Sequence, residues 1–131
     1  MAALAADSAA TIERDAKEFS YPAAASTKFY KGGLVAINAS NVLVKMTAAT
    51  GLKCVGVCQN GVDNSAGGAG AVNVPTRRGC FRFVNGESIV LSDIGAAAYA
   101  NDDQTIYKTA TGRSQVGIIR DVDSAGVWVE I

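Results

Sequence analysis

The 131-residue chain contains no histidine, and so lacks the side chain that most often does acid–base work near neutral pH and most often ligates transition metals. Serine or cysteine nucleophiles activated by imidazole, and zinc sites built on imidazole, are excluded together. Cysteine is scarce. Cys54, Cys58 and Cys80 form one Cys-x-x-x-Cys pair and a distant third thiol, one ligand short of a structural zinc site. They are expected to be small buried thiols. Neither sign of charge dominates, with 12 Lys plus Arg against 12 Asp plus Glu, so no long-range field draws the molecule to nucleic acid or to an anionic membrane. No stretch approaches the roughly 18–20 apolar residues of a membrane helix. The opening "MAALAADSAA" has no basic segment and is interrupted by Asp7, which argues against a secretory signal. The expectation is a soluble chain made in a reducing cytoplasm, with no metal, cofactor or membrane partner and with the Asn38-Ala39-Ser40 sequon unused.

Only two prolines and one tryptophan, Trp128, stand against 14 glycines, and the 49% apolar content leans on alanine. That mixture suits short strands joined by tight turns. The length fits one domain able to bury a core without metals or disulfides. Residues 1–27 read as an N-terminal arm, rich in alanine and charge and poor in β-branched residues. Within it Thr11 can cap a short helix with Ile12, Ala16 and Phe19 on one face and i,i+4 pairs Glu13–Lys17 and Arg14–Glu18, ended by Tyr21-Pro22. The open alternatives are a disordered tail and an arm that orders only against a neighbouring subunit, since so short a helix is marginal alone.

Residues 28–131 read as a single β domain. Period-two runs recur in "GGLVAIN", "NVLVKM", "KCVGVCQ", "AVNVPTRRGCFRFV", "ESIVLS", "QTIYK", "SQVGIIRDV" and "GVWVEI", with Asn85-Gly86 as a two-residue hairpin signal. About eight short strands at this spacing predict a mainly β protein, a small β-barrel or β-sandwich. A weak internal repeat is also present. Ala49-Thr50-Gly51 and Val55-Gly56 recur as Ala110-Thr111-Gly112 and Val116-Gly117, and "VDNSAG" at 62–67 recurs as "VDSAG" at 122–126.

The local motifs that might carry chemistry each have a plainer reading. "VDNSAGGAGA" at 62–71 has neither G-x-G-x-x-G nor a terminal Gly-Lys-Ser/Thr and leads into a strand, so it reads as a mobile loop without phosphate. "DVDSAG" at 121–126 begins like a calcium loop, but Ala125 occupies the fifth position and the twelfth falls past the last residue, so it reads as a turn. Asp102-Asp103 reads as another turn. "RRGCFRF" at 77–83 interleaves arginine with phenylalanine as some single-strand nucleic-acid surfaces do. Strand alternation equally places Phe81 and Phe83 inward and Arg82 outward. Arg77 and Arg78, beside the bend after Pro75, suit carboxylates of a partner. No catalytic constellation emerges, and a non-enzymatic role is expected.

The segments "VDNSAGG", "RRGCFRF", "DIGAAAYANDDQTIYKT" and "VGIIRDVDSAGVWVEI", with a looser echo in "FSYPAAASTKFYKGGLVAI", resemble a family of small tailed-phage head proteins described as capsid cement, decoration or minor capsid proteins. The resemblance implies a β-rich virion protein on the outer surface of an icosahedral head, made in the host cytoplasm. There it would sit at junctions between major capsid protein subunits, often as a trimer, bracing the shell against internal DNA pressure. It carries no active site. The residues expected at interfaces with the major capsid protein, or with a second copy in a homo-oligomer, are Phe19, Tyr21, Phe29, Arg77, Arg78 and Trp128. The rival readings are a nucleic-acid-binding β module on the Arg77–Phe83 strand and a head–tail connector or tail structural protein.

Overall fold

A computed structural model describes residues 2–131 and shows twelve strands. They are β1 (Glu18–Pro22), β2 (Thr27–Phe29), β3 (Leu34–Ile37), β4 (Leu43–Lys45), β5 (Lys53–Cys58), β6 (Val62–Asn64), β7 (Asn73–Arg77), β8 (Cys80–Asn85), β9 (Ala97–Ala100), β10 (Thr105–Tyr107), β11 (Gln115–Asp123) and β12 (Gly126–Glu130), with one 3-10 turn at Leu91–Asp93. The first seven, apart from the β2–β6 ribbon, form a sheet in the order β1-β7-β5-β3-β4. The last five close a barrel in the order β10-β8-β12-β11-β9. The predicted β-barrel class is correct.

The two halves are copies of one unit. β1 pairs with β7 as β8 pairs with β12, β7 with β5 as β12 with β11, and β5 with β3 as β11 with β9, all antiparallel. Each half is closed by a parallel contact, Ala23 with Leu43 in the first and Asn85 with Ile106 in the second. The correspondence holds at single residues. Registers skip Val55 and Val116, so each is the extra residue of a bulge, which kinks the strand where the sheet must curl. The next residue is Gly56 in one half and Gly117 in the other, and a Cβ on either would overlap a backbone carbonyl, that of Arg77 or of Glu130. Only glycine lets the strands approach so closely. Ser26 and Ser88 share a left-handed conformation, φ 54° and 51°, as do Gly51 and Gly112, φ 79° and 72°. The short sequence repeat is thus the visible part of a whole-fold duplication.

Each half fills its own interior. Val35, Leu43, Val55, Cys58 and Val74 pack in the first, with Ala23 and Phe29. Phe83, Ile106, Val116, Ile119, Val127 and Val129 pack in the second. β3 and β5 are buried on both faces, because Leu34, Ala36 and Val57 point away from the first interior and join the second cluster with Met46. Leu34 and Met46, both fully buried, therefore glue the halves together, each contributing on the order of 1.5–3 kcal/mol by burial. Ser114 ties the seam with polar contacts: its hydroxyl donates to Ala49 O at 2.6 Å and accepts from Leu52 N at 3.0 Å.

Several expectations need correction. Residues 2–17 form no helix or strand, and every one is exposed except the half-buried Ser8, so the arm ends at 17. Residues 18–22 are recruited into the sheet as β1, because pairing with β7 satisfies their backbone, which a three-residue apolar stripe could not do as a helix. Asn85-Gly86 does not open a hairpin. Asn85 folds its amide back on Ile89, accepting from the amide N and donating to the carbonyl, while Gly86 N donates to Ile106 O at 3.0 Å. β8 finds its partners far away in sequence, and "ESIVLS" becomes loop and 3-10 turn. The bend expected after Pro75 lies at Arg78-Gly79, since Pro75 sits within β7 opposite Ser20.

Candidate interaction groove

β7 runs through Arg78-Gly79 straight into β8, so the chain crosses from one half to the other without slack. Both ends of the crossing are fastened: Arg78 N donates to Lys17 O at 2.8 Å and Ile131 N to Gly79 O at 2.9 Å. Beside it lies a groove of about 490 Å³, walled by β5 and the 31–32 turn on one side and by β8 on the other. Val57, Phe81 and Phe83 supply its apolar floor, and Lys31, Arg77 and Arg82 its charges. No carboxylate lines it, and among the described residues none of the three cations has a carboxylate within ion-pair distance. The groove thus pairs apolar surface with three guanidinium or ammonium groups that are free to bind.

Arg77 is shared with a second cleft of about 390 Å³, where it meets Arg14, Asp15, Lys17 and Glu18 at the exit of the arm. Arg14 lies over the Phe19 ring at 4.2 Å, and Phe19 stacks on Tyr21 with centroids 6.2 Å apart. On the far side Arg82 sits 5.8 Å from the Trp128 ring. The Trp128 Nε1–H donates to Asp123 Oδ2 at 2.9 Å. That bond, aided by the amides of Ala125 and Gly126 and by Arg82, holds the Asp123 carboxyl below its usual range.

Of the six residues expected at interfaces, Arg77 lines this groove and the neighbouring cleft, Trp128 and Phe19 lie against Arg82 and Arg14 beside them, Tyr21 packs against the first interior, and Phe29 and Arg78 are placed otherwise. Phe29 is 1% exposed and plugs the first interior, so it meets no partner. Val62 on β6 is its cross-strand neighbour, and the β2–β6 pairing turns both side chains onto the first interior. Arg78 is half-buried at the crossing, close enough to Cys54 to oppose ionisation costs there, yet burial prevails and pushes that thiol up to about 11. Sequence reading missed Lys31, which carries no motif and matters only because the 31–32 turn folds against β8. It also misjudged Cys80, which is exposed; only Cys58 is fully buried and Cys54 half-buried.

The remaining motifs resolve into turns. Asp102 accepts from Gln104 N and Thr105 N, Asp121 from Val122 N, and Asp123 closes the β11–β12 hairpin. Asp103 lies apart, against Gly33. These four carboxylates do not converge on one cleft. Among the described residues no group of three His, Cys, Asp or Glu is placed to hold a metal ion. The glycine run 67–70 is not slack: Gly70 N donates to Ala23 O, Ser26 N donates to Gly67 O, and the buried Asn64 side chain donates to Ala24 O and Gly68 O. It is an exposed loop pinned to the rim of the first half. Phe83 faces the interior and cannot stack on a base.

No protein-family model, curated protein or solved structure matches this chain.

Proposed function

We propose that this protein is a virion structural protein of the capsid-cement type, which binds the outside of a tailed-phage head and stabilises contacts between major capsid protein subunits. The observation that carries the reading is the groove between the two halves. Its unpaired Lys31, Arg77 and Arg82 around an apolar floor suit an acidic, partly apolar segment of a protein partner, where planar guanidinium groups bind carboxylates bidentately. The collinear segments that resemble capsid cement proteins supply the partner class. A duplicated unit repeated over a symmetric shell gains avidity from contacts that are individually weak, and hence needs no single dominant residue.

The test is binding of purified protein to undecorated capsids, using a K31E/R77E/R82E variant. All three side chains are exposed, so the variant is expected to melt with wild type while capsid binding falls at least tenfold and wild-type binding weakens as salt rises. Undiminished binding by the variant removes the groove from this reading, and failure of wild type to bind capsids removes the reading itself. A salt-sensitive affinity for single-stranded nucleic acid, lost in the same variant, would favour the nucleic-acid module instead. A ring larger than a trimer would favour a connector.

A further inference from the structure

The two halves agree at nearly every pairing, so the place where they disagree is informative. In the first half the segment after Ser26 is β2, and β6 lies antiparallel along it, pairing Thr27 with Asn64, Lys28 with Asp63 and Phe29 with Val62. The equivalent segment of the second half opens at Ser88, in the same left-handed conformation, and closes at Gly95, whose N donates to Ile119 O as Gly32 N donates to Cys58 O. Here β11 turns into β12 at once through Asp123, so no counterpart of β6 exists. Ile89 still plugs the interior, but Val90, Leu91 and Ile94 are left 52%, 62% and 47% exposed. Large exposed hydrophobics fall densely here, three within five residues.

Two of the other large exposed hydrophobics are Leu4 and Ile12, 76% and 89% exposed on the arm. Among the described residues the arm makes no strand pairing, and it meets the body near its root, through Lys17 and Arg14. The patch offers on the order of 300 Å² of apolar surface, well short of the roughly 800 Å² per partner of a stable face-to-face dimer. It is sized for one extended segment, and an extended segment, β6, is what pairs along the equivalent stretch in the first half.

We propose that the uncovered Val90–Leu91–Ile94 surface of one copy receives the N-terminal arm, around Leu4 and Ile12, of a second copy of this chain, so that copies link head to tail. An exchange of this kind uses a different surface on each partner and closes into a ring when the rotation permits. The proposal goes beyond the capsid reading and is tested without capsids. The assay is oligomer mass by sedimentation at about 100 µM for wild type, I12D, L91D and the I12D plus L91D mixture; both sites are exposed, so neither variant should lose its fold, which thermal melting checks. Wild type is expected to assemble and each variant to be monomeric. The mixture is expected to form dimers, because I12D retains a receptive surface and L91D retains an arm. A monomeric wild type, or assembly surviving in either variant, overturns the proposal. So does protease protection of the arm in a monomer that L91D abolishes, since the arm would then cover its own chain. Capsid binding by monomeric I12D would leave the groove reading standing while this one is judged separately.

Discussion

Replacing Gly56 by alanine tests the close approach of β5 to β7 and, with it, the duplication. The new Cβ would overlap the Arg77 carbonyl oxygen and crowd the Arg78 nitrogen. These are backbone atoms, which cannot swing aside as a flexible side chain can, so the strands must separate where Val57 pairs with Arg77 and Cys58 with Thr76. Overpacking of this kind costs about 1–3 kcal/mol. Gly56 also sits at φ 119°, which adds about 1–2 kcal/mol for a residue with a Cβ. The sum, about 2–5 kcal/mol, is a large share of the ~5–15 kcal/mol stability of an ordinary domain and lowers the melting temperature by roughly 10 °C or more. Gly117→Ala meets the Glu130 carbonyl without the left-handed φ, so it should cost about 1–3 kcal/mol. Gly51→Ala has φ 79° and nothing near its Cβ. Its strain of about 1–2 kcal/mol is partly offset by ~0.4–1 kcal/mol of lost unfolded-state freedom. Thermal unfolding followed by circular dichroism is expected to rank the losses Gly56 over Gly117 over Gly51. A Gly56→Ala loss no larger than that of Gly51→Ala would refute the described strand approach.

Deleting residues 2–13, which leaves Arg14 on Phe19 and the Lys17 carbonyl on Arg78 in place, should leave the melting temperature within about 2 °C of wild type, because that segment is almost wholly exposed, whereas extending the deletion through Pro22 removes β1 and should abolish cooperative melting. A maleimide should label Cys80 in the folded protein while Cys54 and Cys58 stay protected until denaturant is added; early labelling of Cys58 would contradict its burial. Burial raises the folded-state value of Cys54 from 9.0 to about 11, so this thiol costs nothing below pH 9, where both states are protonated, and destabilises the fold as pH rises from 9 toward 11. The melting temperature of Cys54→Ala should therefore fall less steeply than wild type over that window, and parallel curves would argue against the shift. Asp123 has the opposite sign: its folded-state value is lowered, chiefly by the Trp128 bond, so its contribution is present above the ordinary carboxylate range and lost in acid. Trp128 fluorescence should titrate below about pH 4 in wild type and lose that step in Asp123→Asn.

The strands were legible because alternation is local. "KCVGVCQ" and "SQVGIIRDV" announce their inward residues whatever they pair with, and β5 and β11 lie where those runs place them. What escaped depends on distant partners. Asn85-Gly86 carries a strong hairpin signal, yet β8 is claimed by β12 and β10. Glu13–Lys17 and Arg14–Glu18 favour a helix, yet β7 offers Glu18 to Pro22 a ladder, and sheet hydrogen bonds outweigh two exposed ion pairs of ~0.3–0.5 kcal/mol each. Sequence reading counts Phe29 with the arm among the contact residues; only its place in the β2–β6 ribbon reveals that it is a plug. The groove was half legible, since Arg77 and Arg82 stand out in "RRGCFRF" while Lys31 joins them only through tertiary folding.

The duplication also separates scaffold from function among the residues that were legible. Phe19 and Tyr21 pair with Thr76 and Val74 as Phe81 and Phe83 pair with Val129 and Val127, so these aromatics hold equivalent places in the two halves and their first duty is packing. Arg77 is different. Its counterpart is Glu130, which faces Ile118 as Arg77 faces Val57, and Glu130 is held by Arg120 at 2.9 Å, whereas Arg77 has no ion pair. Arg82 likewise takes the place of Ser20, since the first faces Trp128 and the second Pro75. Two of the three cations of the groove therefore stand where the halves diverge, at positions the shared fold does not require to be charged. The same holds for the uncovered surface at 90–94, where one half keeps a strand and the other leaves apolar side chains bare. The matched residues serve the shared fold; Arg77 and Arg82 at the groove, and Val90, Leu91 and Ile94 at that surface, are mismatched positions that the shared fold does not require.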